Sequence, residues 1–299
     1  MAQNIMPILA RDDLNPVLAS LIGDCCGSES AFDIHRQHLS TYGFAHYGDL
    51  CPDTDSQHDG AGPGTVAELL GQALALSGDR PPGPVVDLGC AVGRSSFELA
   101  GDTNDLVLGI DLNFSMLRMA SAIGRRQKVA FGLRRGGLVY DWLEYPAHFP
   151  GAEKVDFWLC DVLNLPFADA SFSMAASLNL LDVVSSPYDH LKEMSRVLAP
   201  SGPALVATPF DWSPRVTAVE SWIGGHSQRG VNHGNSVAGL ADLLAGGDNI
   251  QALADLAMAA EPRDIPWILR LHDRSCVHYL VYLAILRKKT ALPTAGPPT

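Results

Sequence analysis

Basic residues are scarce in this sequence. Its 299 residues include 21 Lys and Arg against 33 Asp and Glu, which gives a formal net charge of −12. Charged residues make up 18% of the chain, below the roughly 25% that is usual for globular proteins. Because proteins bind nucleic acid chiefly by neutralising phosphates with Lys and Arg, this balance argues against a nucleic-acid partner.

Long apolar runs are also missing. The most apolar segment, Val277 to Leu286, is half as long as the ~20 residues of a membrane-spanning helix, and it contains His278. No basic segment precedes an apolar one at the start of the chain, so we predict no signal peptide. The 6 cysteines lack regular spacing, and the His and Cys residues near the N-terminus match no zinc pattern. We therefore predict reduced thiols, no metal site, no membrane partner and a cytoplasmic protein.

Hydrophobic periodicity divides the chain into a helical first segment and a larger α/β domain. Residues 1–80 favour helices and end in a break rich in Gly and Pro. After the break, short apolar runs alternate with helical segments, which is typical of a parallel sheet covered on both faces. We predict a helical cap or lid over 1–80, an α/β domain over 81–288 and a flexible tail over 289–299.

One connection within the α/β domain is much longer than usual. The segment 124–154 separates the second helix from the third strand, where a short link is normal. Five basic residues between positions 125 and 135 are followed by Tyr140, Trp142 and Tyr145. We predict a β-hairpin-like insertion that packs on the outside of the domain and leaves its arginines in solvent.

A glycine-containing segment, Asp87–Ser96 (DLGCAVGRSS), follows the first predicted strand. Gly89 and Gly93 let the backbone approach a ligand, and the helix that follows presents free N–H groups. A dinucleotide fingerprint would need glycine where the chain has Ala91 and Arg94, and the Gly-Lys-Ser/Thr of a P-loop does not occur there. The segment resembles the first motif of class I S-adenosylmethionine (SAM) methyltransferases, with Ala91 in place of the middle glycine.

Polar side chains stand at the ends of the next three predicted strands. Asp111 ends the second, Asp161 ends the third and Asn179 follows the fourth. Ligands of open α/β sheets bind outside the carboxyl ends of the strands, so we expect these side chains to share one crevice. The resemblance implies that Asp111 binds the ribose, that Asp161 with Val162 contacts the adenine and that Asn179 holds the methionine end or the substrate. The predicted cofactor contacts are Asp87, Gly89, Cys90, Ala91, Gly93, Arg94, Asp111, Leu112, Met116, Asp161, Val162 and Asn179.

Several segments further resemble the C-terminal methyltransferase domain of ovothiol synthases. They are Asp87–Ala100, Asp156–Asp161, Asn179–Asp182, Thr208–Trp212, Trp222–Gly225 and the insertion 124–154. The resemblance implies a Rossmann-like fold with a mostly parallel seven-stranded sheet. It also implies N-methylation of the imidazole of 5-mercaptohistidine or 5-selenohistidine. A separate enzyme would supply that thiol- or selenol-histidine, because the His-x3-His-x-Glu pattern of the iron-dependent part is missing.

An amino-acid acceptor would need partners for its carboxylate and its ammonium group. We expect Arg274 to bind the carboxylate, and Tyr42, His46 and Tyr47 to close a lid over the acceptor. The candidate catalytic residues are Asn179, Asp182 and Tyr47, and the candidate substrate contacts are Tyr42, His46, Tyr47, Asn179, Asp182, Asp211, Trp212 and Arg274.

Other interpretations remain open at this point. The chain could methylate another small metabolite, such as a quinone, polyketide or phenol. It could also bind SAM in a regulatory role without turnover. The basic insertion leaves a nucleic-acid methyltransferase as a weaker alternative.

Overall fold

The computed structural model describes residues 31–52, 62–230, 232–245, 253, 255–260 and 262–290. The predicted helical segment up to residue 30 and the predicted tail from residue 291 lie outside these ranges. Within the described ranges, no helix has both the length and the apolar character that crossing a membrane requires.

The secondary structure follows the predicted alternation of strands and helices. The helices are α1 (Ala31–Tyr47), α2 (Thr65–Ser77), α3 (Arg94–Asp102), α4 (Phe114–Arg126), α5 (Pro187–Val197) and α6 (Ser236–Ala245). The strands are β1 (Val85–Leu88), β2 (Val107–Asp111), β3 (Lys128–Gly136), β4 (Val139–Pro146), β5 (Val155–Leu159), β6 (Met174–Leu178), β7 (Pro203–Thr208), β8 (Leu256–Met258), β9 (Arg263–His272) and β10 (Ser275–Lys288).

The main sheet has the strand order β5-β2-β1-β6-β7-β10-β8, and β9 pairs with β10 beside this path. Strands β5, β2, β1, β6 and β7 are parallel, whereas β10 is antiparallel to β7, β8 and β9. The predicted α/β class with a mostly parallel sheet is therefore confirmed. Within the described residues the sheet has eight strands rather than the predicted seven, because β9 pairs with the first half of the long strand β10.

The core lies on both faces of this sheet. On one face, Leu69 of α2 and Leu99 of α3 pack with Ile285 of β10. On the other face, Leu191 and Met194 of α5 belong to the largest apolar cluster. Because apolar side chains cover both faces, the central strands are mostly apolar, with Asp87 of β1 and Ser177 of β6 as buried polar exceptions. The sequence therefore shows them as short hydrophobic runs.

The long connection after α4 forms an antiparallel hairpin of β3 and β4, as predicted. It packs against α1, where the Arg134 guanidinium donates to Gln37 Oε1 (2.8 Å) and the Arg134 N–H donates to the Ser40 hydroxyl oxygen (2.7 Å). Arg134 is thus half-buried, contrary to the expectation that the arginines are solvated. The exposed Arg135 fits that expectation and pairs with Asp141.

Candidate active site

The loop between β1 and α3 has the backbone conformation that its glycines predict. Gly89 (φ +75°) and Gly93 (φ +88°) lie in the left-handed region that favours glycine. A Cβ atom on Gly89 would lie 2.8 Å from the Leu180 side chain, which would have to move to make room for it. Ala91, at the position of the middle glycine of the motif, also has a positive φ of +48°. The departure from the motif therefore preserves the shape of the loop.

Asp111 connects this loop to the end of β2. Its Oδ2 accepts a hydrogen bond from the Ala91 N–H (2.9 Å), and its Oδ1 accepts one from the Asn113 N–H (2.7 Å). Burial raises the pKa of this carboxyl group, and the backbone hydrogen bonds oppose that shift. Each carboxylate oxygen can accept a second hydrogen bond, so the group can also bind two neighbouring hydroxyls of a ribose.

Asp161 stands just beyond the end of β5, the strand next to β2. Its Oδ1 accepts from the Leu163 N–H (2.9 Å), and the side chain is otherwise exposed. The neighbouring Val162 is buried. The pair thus offers a carboxylate and an apolar contact side by side, which is a suitable surface for an adenine ring and its amine.

Asn179 follows β6 in a left-handed conformation (φ +53°), and its N–H donates to the Ala207 carbonyl oxygen (2.7 Å). Its side-chain Oδ1 is buried and has no hydrogen-bond partner among the described residues. An unpaired buried acceptor costs about 1–3 kcal/mol, so such atoms are uncommon in folded proteins. A bound ligand that reaches this oxygen would supply the missing hydrogen bond.

A cavity of about 540 Å³ joins these strand ends to a roof contributed by α1 and β9. Its volume lies in the range of ~300–1,000 Å³ that is usual for small-molecule sites. The predicted residues that line it are Tyr42, His46, Gly89, Ala91, Asp111, Leu112, Met116, Asp161, Val162 and Asn179. The expected convergence of the strand-end side chains is therefore present in the structure.

Other lining residues were not predicted. Trp267 and Leu269 of β9 form part of the roof, Val66 of α2 contributes an apolar contact and Ser95 stands at the start of α3. The apolar alternation at positions 265, 267 and 269 is the signal that could have revealed β9 as a strand with one buried face.

Arg94, predicted as a cofactor contact, does not line the cavity. Its guanidinium donates to both carboxylate oxygens of Asp49 (3.0 and 3.1 Å), to Glu98 Oε1 (2.6 Å) and to the His46 carbonyl oxygen (2.9 Å). We call this group the Arg94 clamp. It fastens the end of α1 and the turn after it to the start of α3.

Tyr47 is also absent from the cavity, although it is a candidate lid and catalytic residue. Its side chain is fully buried, and its hydroxyl donates to the Val92 carbonyl oxygen (2.7 Å). The Tyr145 hydroxyl of β4 donates to the Tyr47 carbonyl oxygen (2.7 Å). Tyr47 therefore holds α1 and the hairpin against the glycine-containing loop.

Asp87, Cys90 and Gly93 lie beneath the cavity rather than along it. Asp87 Oδ2 accepts from the hydroxyls of Ser95 and Ser96, each at 2.6 Å. Burial raises the pKa of Asp87 to about 6, in spite of these two bonds. Cys90 is fully buried. These residues support the loop on the side that faces away from the cavity.

Four candidate substrate residues are not among those that line the cavity. Asp182 is buried and accepts from the Thr208 hydroxyl (3.1 Å) and the Asp211 N–H (2.7 Å). Asp211 is exposed and accepts from the Tyr279 hydroxyl (2.9 Å). Trp212 stacks on Trp222 with 6.1 Å between ring centroids, and Arg274 is exposed on the turn between β9 and β10. Asp182 and Asp211 follow the carboxyl ends of β6 and β7 without lining the cavity, whereas Arg274 lies at the far turn between β9 and β10. Their roles as substrate contacts stay predictions.

Known proteins support this description of the fold. Residues 86–206 match the family model described as a methyltransferase domain. The chain is 25% identical over 166 residues to norajmaline N-methyltransferase of Rauvolfia serpentina, covering 54% of this chain and 49% of that protein. It is 29% identical over 163 residues to methyltransferase GfsG of Streptomyces halstedii, again covering 54% and 49%. The chain thus spans about half the length of the curated relatives it matches.

A solved structure with the same fold is that of the [4+2]-cyclase SpnF. The TM-score is 0.53 at 14% identity, covering 87% of this chain and 96% of that one. Because that protein is named for a cyclisation, the shared fold does not by itself fix the reaction. The match over residues 86–206 includes the glycine-containing loop and the strand-end residues Asp111, Asp161 and Asn179, and it supports SAM as the cofactor of this region.

Proposed function

We propose that this chain transfers the methyl group of SAM to a nitrogen or oxygen atom of a small planar acceptor. The observation that carries the proposal is the single cavity that joins Asp111, Asp161 and Asn179 to the aromatic roof of Tyr42, His46 and Trp267. The cofactor would occupy the strand ends, with its ribose on Asp111 and its adenine beside Asp161. The acceptor would then lie beneath the roof.

SAM supplies an electrophilic methyl group on a sulfonium. The residues of this chain would have to hold the acceptor in line with the bond that breaks and keep bulk water away. Such alignment can contribute about 7–11 kcal/mol to lowering a barrier. A neutral imidazole needs little activation, because its ordinary pKa of about 6.5 leaves it mostly unprotonated at pH 7.

The imidazole of 5-mercaptohistidine or 5-selenohistidine is the first acceptor to test. The ovothiol-synthase resemblance of the segments around Asp87, Asn179 and Thr208 supports it. The unpaired Oδ1 of Asn179 could accept a hydrogen bond from the ammonium group of such an amino acid. A separate enzyme would have to install the sulfur or selenium atom.

A neutral acceptor such as a quinone, polyketide or phenol is the second candidate. The charges of the side chains around the cavity favour it. Among the described residues that line it there is no Lys or Arg, and several are apolar, including Leu178, Val184 and Val216. A buried carboxylate without a cationic partner is costly. An amino-acid acceptor would therefore need to leave its carboxylate at the open side of the cavity.

Mass spectrometry on a panel of acceptors tests the proposal. The protein is incubated with SAM and, separately, with 5-mercaptohistidine, 5-selenohistidine, histidine, a hydroquinone and a simple phenol. We expect a product one methyl group heavier from the mercapto- or selenohistidine. Methylation of only the hydroquinone or phenol would instead establish the second candidate. SAM binding without methylation of any acceptor in the panel would contradict the proposed activity.

A further inference from the structure

His46 is a buried histidine whose ring nitrogens form no hydrogen bond with the described residues. It lines the cavity from α1 and is 5% exposed. Its Nδ1 is buried without a hydrogen-bond partner among the described residues. The ring contacts are aromatic, at centroid distances of 6.0 Å to Tyr42, 6.3 Å to Tyr47 and 6.5 Å to Trp267. A polar ring that is packed in place and lacks polar partners points to a ligand that supplies them.

Hydrogen bonds to the backbone of His46 and to the neighbouring Tyr47 fix the position of this ring. The Arg94 guanidinium donates to the His46 carbonyl oxygen at 2.9 Å, and Arg94 is itself held by Asp49 and Glu98. The next residue, Tyr47, is tied to the glycine-containing loop through the Val92 carbonyl oxygen. The backbone of His46 therefore cannot move without breaking the contacts that also hold the loop of the cofactor site.

The charge state of His46 defines the kind of group it can meet. Burial, with a further contribution from the nearby Arg94, lowers its pKa to about 3. The ring is therefore neutral at pH 7, with one nitrogen that accepts a hydrogen bond and one that donates. A neutral imidazole has no net charge with which to bind a carboxylate, but it pairs well with an N–H or O–H group.

We propose that the acceptor carries an N–H or O–H group on a planar ring and donates it to the imidazole of His46. The inference rests on the proposed function and narrows its substrate class. An imidazole N–H and a phenolic O–H share this chemistry, so mercapto- or selenohistidine, a phenol and a hydroquinone satisfy it, whereas an oxidised quinone does not. A carboxylate, an ether or a fully alkylated amine does not.

The hydrogen bond would orient the acceptor for a simple transfer. The acceptor heteroatom forms a bond to the methyl carbon, the carbon–sulfur bond breaks, and its electron pair stays on sulfur as S-adenosylhomocysteine (SAH). The positive charge passes from the sulfonium to the acceptor, which then releases its ring proton to water. His46 acts as a hydrogen-bond partner throughout, since its low pKa makes it a poor resident base.

Binding of matched ring fragments to the SAH complex tests this inference. Phenol is compared with anisole, and imidazole with 1-methylimidazole, by ligand-detected NMR. In each pair only the first compound carries the donor. We expect at least one donor to bind about three- to tenfold more tightly than its methylated partner, as one hydrogen bond predicts. The pair that shows the difference identifies an O–H or an N–H acceptor.

The same comparison is made with His46→Phe, which keeps an aromatic ring against Trp267 and removes the nitrogens. The preference for the donor over its methylated partner should disappear in His46→Phe. It should persist in His278→Phe, a matched change at an exposed position of β10. Should His46→Phe fail to fold, ¹⁵N spectra of histidine-labelled native protein take its place, and the preferred donor should shift one ring nitrogen. The methylated compound of the same pair should leave the ring-nitrogen signals unshifted.

The outcomes separate this inference from the proposed function. Failure of SAH to bind contradicts the proposed function itself. If SAH binds but neither donor is preferred, if no fragment binds, or if the preference survives in His46→Phe, the inference about His46 is wrong. Absence of the ring-nitrogen shift overturns it in the same way.

Discussion

Replacing Arg94 by Met should destabilise the protein far more than a surface charge change does. The substitution removes a guanidinium that is 6% exposed and leaves the His46 carbonyl oxygen without its donor. Asp49 and Glu98 also lose their partner, but at 30% and 34% exposure they remain partly accessible to water. Removing one side of a fully buried pair costs about 3–5 kcal/mol. Allowing for this partial hydration, we expect a loss of about 2–3 kcal/mol.

Urea denaturation of the native chain and two variants measures this loss. Arg135→Met is the matched control, since Arg135 and its partner Asp141 are 59% and 50% exposed. An exposed pair of this kind contributes at most ~1 kcal/mol. Arg94→Lys should fall between the two, because an ammonium group cannot reproduce the two parallel bonds to Asp49. If Arg94→Met costs no more than Arg135→Met, the clamp is not a structural anchor and the argument for a fixed His46 fails.

Three further predictions follow from the same geometry. Asp111→Ala should weaken SAH binding by about 1.5–3 kcal/mol, the value of hydrogen bonds to a charged group, and calorimetry showing unchanged affinity would contradict the ribose assignment. Gly93→Ala should cost about 1–3 kcal/mol in urea denaturation, since φ is +88° and the new Cβ would lie 2.7 Å from a neighbouring methyl group. Burial lowers the pKa of His46 to about 3 and of His190 to about 4 from their ordinary 6.5, so the unfolded chain takes up these protons first as the pH falls. The free energy of unfolding should therefore decrease as the pH falls from 6.5 to 4. Asp87 partly offsets this loss, because its raised pKa of about 6 stabilises the folded state as the pH falls. A melting temperature that rises as the pH falls over this interval would refute the low pKa values of the two histidines.

Much of the fold could be predicted from the sequence because its signals are local. The central strands are short, mostly apolar runs, and helices follow β1, β2 and β6, so the α/β class follows from the order of the elements. The polar residues Asp111, Asp161 and Asn179 come directly after strands. The topology of a parallel sheet brings such positions to one edge wherever they lie in the sequence.

The residues that the sequence alone placed less well are those whose contacts lie far away in the sequence. Arg94 follows a glycine and opens a helix, which is compatible with a cofactor contact, but its partner Asp49 stands 45 positions earlier. Asp182 has the polarity of a catalytic residue, yet Thr208 and Asp211 use its oxygens to close the loop after β7. Trp267 reaches the cavity only because β9 pairs with β10.

A crystal structure of the protein with bound SAH tests the central claim most directly. We predict electron density for the nucleoside across the carboxyl ends of β1, β2, β5 and β6. Both ribose hydroxyls should lie within about 3 Å of the Asp111 carboxylate oxygens, and the sulfur atom should face the space between Asn179 and Tyr42. SAH bound at another surface, or side chains filling this edge of the sheet, would contradict the account.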